Sequence, residues 1–120
     1  MNTAQQLHHA GQSVWYDNVE RRLLNNGEMA RMIARGEIRG VTSNPTIFMT
    51  AVTKSHDYDA GLLPLAKAGK TGEEIFWELA VEDIRAAADL LRPIYDESNK
   101  EDGYVSLEVN PYLANDTQAT

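Results

Sequence analysis

The sequence predicts an α/β fold of parallel βαβ units, and three observations predict it. Short runs of strand-forming residues each feed straight into a helical pattern. Each of those runs ends in a small polar or acidic residue. The composition, 42% hydrophobic and 24% charged over 120 residues, is that of one folded globular domain at most.

Along the chain, residues 1–12 form a polar lead-in with few apolar side chains, expected to be mobile or loosely helical. Ser13-Val14-Trp15-Tyr16 is rich in strand formers and ends in Asp17. Asp17 then opens a helical pattern in which Val19, Leu23 and Leu24 share a face, with Asn25-Asn26-Gly27 as the stop. A second helix is expected over Glu28 to Arg35, presenting Met29, Met32 and Ile33 and closed by Gly36. Glu37 to Thr42 reads as a second strand. Ser43-Asn44-Pro45 follows as a helix start, because a proline in the first turn lacks an N–H that would be unpaired anyway.

Ala51 to Lys70 mixes a short helical pattern with loop residues. Thr71-Gly72-Glu73-Glu74 is a capping box, and from Ile75 to Leu91 apolar residues recur at steps of three and four until Pro93. After the polar loop Asp96 to Gly103, Tyr104 to Val109 reads as a third strand, ended by Pro111. Ala114 to Thr120 reads as a loop turning into a helix that does not arrive, as in a chain that has been cut.

Several function classes are disfavoured. The formal charge is −7, from 11 Lys and Arg against 18 Asp and Glu. Nucleic acid is therefore not an expected partner, since affinity for a phosphate backbone comes from Lys and Arg. No cysteine is present, so no disulfide, thiolate metal site or cysteine nucleophile is available. No apolar stretch approaches the ~20 residues that span a bilayer, and residues 1–12 lack the apolar core of a signal peptide. Neither a membrane nor a metal is expected, and a cytoplasmic location is. The adjacent His8 and His9 point in different directions on a helix and have no completing ligands nearby.

Side chains alternate across a strand. In the third strand Val105, Leu107 and Val109 share one face; Tyr104, Ser106 and Glu108 share the other. Ile38, Gly40, Thr42 and Asn44 fall together on the second strand, as do Trp15 and Asp17 on the first. Asp17, Thr42 with Asn44, and Glu108 thus stand at strand C-terminal ends, where parallel α/β folds build their sites. Each has a structural alternative. Asp17 with Glu20 matches a capping box, and Asn44-Pro45 matches an ordinary helix start. Glu108 in an apolar strand is either solvated at a rim or kept for a purpose, and is a structural ion pair or a site residue, because an unpaired buried acid costs several kcal/mol.

A carboxylate pair with an amide and a hydroxyl fits proton transfer on a polyhydroxylated or carbonyl substrate. Gly69-Lys70-Thr71 lacks the leading glycine and apolar strand of a phosphate-binding loop, and Ser43 lacks the glycine-flanked elbow of hydrolases.

Gly40-Val41-Thr42-Ser43-Asn44-Pro45-Thr46-Ile47-Phe48 resembles the N-terminal signature of the transaldolase family. Ser13 to Asn18 is similar to that family's first barrel strand, Val105 to Val109 to the strand with its catalytic glutamate, and Ala114 to Thr117 to the segment that follows. The wording Trp-Tyr-Asp-Asn and Ser-Leu-Glu-Val-Asn-Pro resembles the longer-chain branch, some members of which are fused to a phosphoglucose isomerase.

The resemblance implies the N-terminal portion of a (β/α)8 TIM barrel, about three strands with their helices. It implies transfer of a dihydroxyacetone unit between sugar phosphates through a lysine Schiff base, in the non-oxidative pentose phosphate pathway, without metal or organic cofactor. Asp17 would then be the acid/base group at the donor hydroxyl, and Glu108 would act through a water in forming and hydrolysing the imine. Thr42 and Asn44 would hydrogen-bond substrate.

Lys54, Lys67, Lys70 and Lys100 all lie outside apolar strands, whereas a Schiff-base lysine needs an apolar wall to lower its pKa. The resemblance implies that the nucleophile comes on the next barrel strand, beyond Thr120, and the 120-residue chain alone is expected to be inactive. A barrel of this kind takes ~250 residues, so open sheet edges are expected. Two other readings stand beside this one: a related Schiff-base aldolase that acts without strict transfer, and a small acidic interaction domain that uses its amphipathic helices.

Overall fold

Three short strands organise the chain, and the computed structural model describes all of residues 1–120. Strands β1 (Trp15–Tyr16), β2 (Gly40–Thr42) and β3 (Val105–Ser106) form one sheet in the order β1-β2-β3, with both pairings parallel. Around them lie helices α1 (Thr3–His9), α2 (Arg21–Asn25), α3 (Glu28–Ala34), α4 (Pro45–Lys54), α5 (Asp59–Lys67) and α6 (Gly72–Glu97). A 3₁₀ turn at Pro111–Leu113 follows β3. The outer edges of β1 and β3 carry no further strand.

The register aligns Tyr16, Val41 and Val105 in one row across the sheet. Val41 is fully buried, and this row packs with Leu23 of α2, Met29 of α3 and Ala87 and Leu91 of α6 in the main core. Full burial of a leucine or valine side chain stabilises by about 1.5–3 kcal/mol, and this row is the side of the sheet that the helices cover. A second cluster joins Phe48 of α4, Tyr58 before α5, and Leu79 and Ala80 of α6. Phe48 meets Tyr58 and Phe76 edge to face at 5.2 and 5.0 Å.

Helix α6 spans both clusters with Leu79, Ala80, Ala87, Leu91 and Ile94 on its buried side. Its start is the expected capping box: Thr71 Oγ1 accepts from the Glu74 N–H, and Glu74 accepts from the Thr71 N–H. Its end differs from expectation. The helix runs 26 residues, through Pro93 to Glu97. Ile94, one residue beyond the proline, is buried in the main core and packs the end of this helix against it.

Other differences follow from long-range packing. Residues 1–12 hold α1, capped by Asn2 and Gln5, whose side-chain amides both donate to the Arg35 carbonyl at 2.9 and 3.0 Å. The lead-in is therefore tied to the end of α3. Ala51 to Lys70 is mostly helical, as the end of α4 and then α5. All three strands are shorter than expected, and Ala114 to Thr120 forms turns. Gly103 leads into β3 with φ +86°, and a Cβ there would lie 2.4 Å from the Tyr95 backbone nitrogen, so only glycine fits this crossing. No helix is long and apolar enough to cross a membrane.

Candidate active site at the strand ends

The sheet face opposite the Tyr16-Val41-Val105 row carries no helix. Trp15 and Tyr104 on this face are 40% and 45% exposed, although both are large aromatic residues. The Trp15 ring lies over Gly40, where a Cβ would come within 2.3 Å of it, so β1 and β2 pair here only because position 40 has no side chain. One step further along the strands, the register sets Thr42 beside Ser106. By alternation Thr42 and Ser106 belong to this uncovered side, while Asp17, Asn44 and Glu108 lie in the segments past the strand ends.

Asp17 lies in the loop after β1, exposed, with no hydrogen bond or ion pair to its side chain. It is not a helix cap. Helix α2 begins four residues later at Arg21, after an extended Glu20 that makes no side-chain cap bond. The first-turn N–H of Arg21 goes instead to the Tyr58 hydroxyl at 2.9 Å. Asn18 is half-buried, and its Oδ1 is buried without a partner.

Asn44 caps α4 as its sequence context predicts. Its Oδ1 accepts from the N–H groups of Thr46 and Ile47 at 3.1 and 3.2 Å. That leaves its amide NH₂ free to donate. Thr42 is half-buried, and its hydroxyl makes only a long 3.4 Å contact to the Ser43 carbonyl.

Glu108 is not in a structural ion pair. Strand β3 ends at Ser106, so Glu108 lies past it, exposed and without an ion pair. The desolvation cost that would call for a partner does not arise. Its backbone is fixed nonetheless: the Glu108 N–H donates to Ser43 Oγ at 3.0 Å, and the Ser43 N–H donates to the Ser106 carbonyl at 3.0 Å. Ser43 is buried and joins the loops after β2 and β3.

Asn44 and Glu108 line one small cavity of about 20 Å³ between these loops and α6, together with Ser43, Phe76, Trp77 and Asp83. Its size suits a single water. Thr42 and Asp17 do not border it. The structure therefore places Asn44 and Glu108 on one cavity beside α6, with Thr42 at the end of β2 and Asp17 in the loop after β1.

Two groups escaped sequence reasoning. Ser106 was assigned to the face of Glu108, but only the register reveals Thr42 as its neighbour. Asp83 was passed over, although it falls four residues from both Leu79 and Ala87 in the apolar stripe of α6, a signal visible in the sequence. It is 2% exposed; Oδ1 accepts from Arg21 Nε at 2.9 Å and Oδ2 from the Tyr58 hydroxyl at 2.6 Å. Burial raises the Asp83 carboxyl above its ordinary value despite those donors, and burial followed by the Asp83 contact raises Tyr58. A phenol held protonated in this way is a fixed donor to the carboxylate.

Comparison with known proteins bears on this arrangement. Residues 14–120 match the sequence profile described as transaldolase/fructose-6-phosphate aldolase. "Transaldolase 2" of Nostoc sp. is 46% identical over 110 residues, which is 92% of this chain and 29% of the relative. "Transaldolase" of Thermobifida fusca is 47% identical over 116 residues, covering 97% of this chain and 32% of the relative. "Transaldolase" of Thiobacillus denitrificans is 45% identical over 120 residues, all of this chain and 33% of the relative. The chain thus spans about a third of the length of these relatives.

Proposed function

The chain belongs to the transaldolase/fructose-6-phosphate aldolase family, and on that premise we propose that it supplies the first strands of a transaldolase. Its three parallel strands are part of an incomplete (β/α)8 barrel. In the proposed reaction a dihydroxyacetone unit passes from a ketose phosphate to an aldose phosphate, carried as an imine on a lysine that lies outside residues 1–120.

The observation that supports this reading is the C-terminal end of the sheet, where three parallel strands finish close in sequence to two exposed carboxylates without partners, a hydroxyl and a free amide donor. The lysine amine attacks the ketose carbonyl and loses water to form the imine. Glu108, held by its backbone to Ser43, moves the protons of that addition and of the final hydrolysis through a water. Asp17 takes the proton from the donor hydroxyl as the adjacent carbon–carbon bond breaks, leaving the electron pair on the imine-conjugated carbon. It returns the proton when the acceptor adds. Asn44 donates its amide hydrogens to a substrate oxygen, its own oxygen being committed to the α4 cap. Thr42 holds a substrate hydroxyl from the neighbouring strand.

The test is borohydride reduction of the full-length protein with fructose 6-phosphate. The expected result is a stable adduct on one lysine outside residues 1–120, and no adduct overturns the mechanism. Product analysis with and without an aldose phosphate acceptor separates transfer from simple aldol cleavage: acceptor-dependent turnover is the expected outcome.

A further inference from the structure

We infer that Tyr58 and Asp83 are positioning residues for Asp17, acting through the start of α2; the inference rests on the function proposed above. Asp17 has no side-chain bond to hold it, so its place is set by its loop, in which Val19 is buried in the main core and both ends are held. One end is fixed by the pairing of Tyr16 with Val41. The other is Arg21, four residues on, which is gripped at both its backbone and its side chain.

The Arg21 N–H, left without a cap by Glu20, donates to the Tyr58 hydroxyl at 2.9 Å. That hydroxyl donates to Asp83 at 2.6 Å, and the other Asp83 oxygen accepts from the Arg21 side chain at 2.9 Å. The Arg21 guanidinium also reaches Glu82 at 2.8 Å and lies 4.8 Å from the Tyr58 ring centre. Tyr58 and Asp83 are 0% and 2% exposed. Burying such a network is a costly way to gain stability, because an apolar set of similar volume often serves as well. Both Asp83 oxygens converge, directly and through Tyr58, on Arg21. A rigid hold on the loop of a residue that must meet a substrate hydroxyl accounts for that choice, since a displacement of about 1 Å can cost about 10²-fold in rate.

The test uses the full-length protein and separates two steps. Tyr58→Phe removes the hydroxyl and keeps the ring that packs on Phe48. Imine formation, read as the rate of borohydride-trappable adduct with fructose 6-phosphate, is expected to stay within about twofold. Carbon–carbon cleavage is expected to fall by about 10- to 100-fold. In an Asp17→Ala background the same change is expected to cause no further loss of cleavage. Thr53→Ala, which removes an exposed hydroxyl bonded to the Met49 carbonyl on α4, is expected to leave both steps unchanged.

If Tyr58→Phe does not fold, Asp83→Asn replaces it and is expected to give the same split. Equal slowing of both steps, no slowing of cleavage, or full additivity with Asp17→Ala overturns the inference while the functional reading stands. No adduct with the unaltered protein overturns both.

Discussion

The two ends of the sheet treat their carboxylates in opposite ways. At the N-terminal end, buried Asp102 accepts from Ser13 Oγ at 2.5 Å and from Arg39 Nε at 2.6 Å, while its own N–H donates to Ser98 Oγ at 2.9 Å. Ser13 precedes β1, Arg39 precedes β2 and Asp102 precedes β3, so one carboxylate ties the starts of all three strands. At the C-terminal end, Asp17 and Glu108 are exposed and paired with nothing. A carboxylate with its lone pairs satisfied stabilises and is chemically quiet; one left free at fixed backbone is available to a substrate. On the proposed function, the difference puts stability at one end of the sheet and chemistry at the other, in line with the division found in barrels generally.

The largest effect that sharpens this contrast is on turnover. Asp17→Ala in the full-length protein is expected to lower kcat by about 10²–10⁴-fold, the range for a lost acid/base group, with urea unfolding little changed. Steady-state kinetics beside an unfolding curve measures both.

At the other end, Asp102→Ala leaves the Arg39 charge part-buried without its partner. A loss of about 3–5 kcal/mol in unfolding free energy is expected, read from the denaturant midpoint. Gly40→Ala lies between the two ends and pushes Trp15 off β2. It is expected to cost about 1–3 kcal/mol, visible as a shifted thermal midpoint and altered tryptophan fluorescence.

The smallest effect is in acid. Burial by itself would raise the Asp102 pKa, but the Arg39 and Ser13 donors outweigh it and hold the carboxyl below its ordinary value. Its contribution to stability is thus present above the ordinary carboxylate range and is lost as pH falls through the lower folded value. Asp83 runs the other way, because burial raises its carboxyl. Its contribution is greatest below the unfolded value and declines as pH rises through the folded one. Unfolding midpoints measured from pH 6 downward are expected to fall less steeply for Asp102→Asn than for the unaltered protein, and more steeply for Asp83→Asn.

Much of the chemical end was legible in the residues because it depends on local rules. Alternation sorted Tyr104, Ser106 and Glu108 onto one face, Asn44-Pro45 marked the start of α4, and Thr71 with Glu74 marked the start of α6. The stabilising end was not legible. Ser13 and Asp102 lie 89 residues apart, and Arg39 and Asp102 lie 63 apart, with no periodicity to link them. The same reason explains Asp17. Asp17 and Glu20 match a capping box in sequence, yet a tyrosine 37 residues beyond Arg21 takes the N–H that begins α2. For Glu108 the length of β3 was decisive, since ending at Ser106 leaves the acid past the strand and exposed at a rim.

The division between the two ends is tested most directly by turnover per folded molecule in two matched variants of the full-length protein, Glu108→Gln and Asp102→Asn. The expected result is a crossed pattern: Glu108→Gln loses turnover and keeps its unfolding free energy, whereas Asp102→Asn loses unfolding free energy and keeps its turnover. Equal loss of turnover in both, or unaltered turnover in Glu108→Gln, contradicts the account.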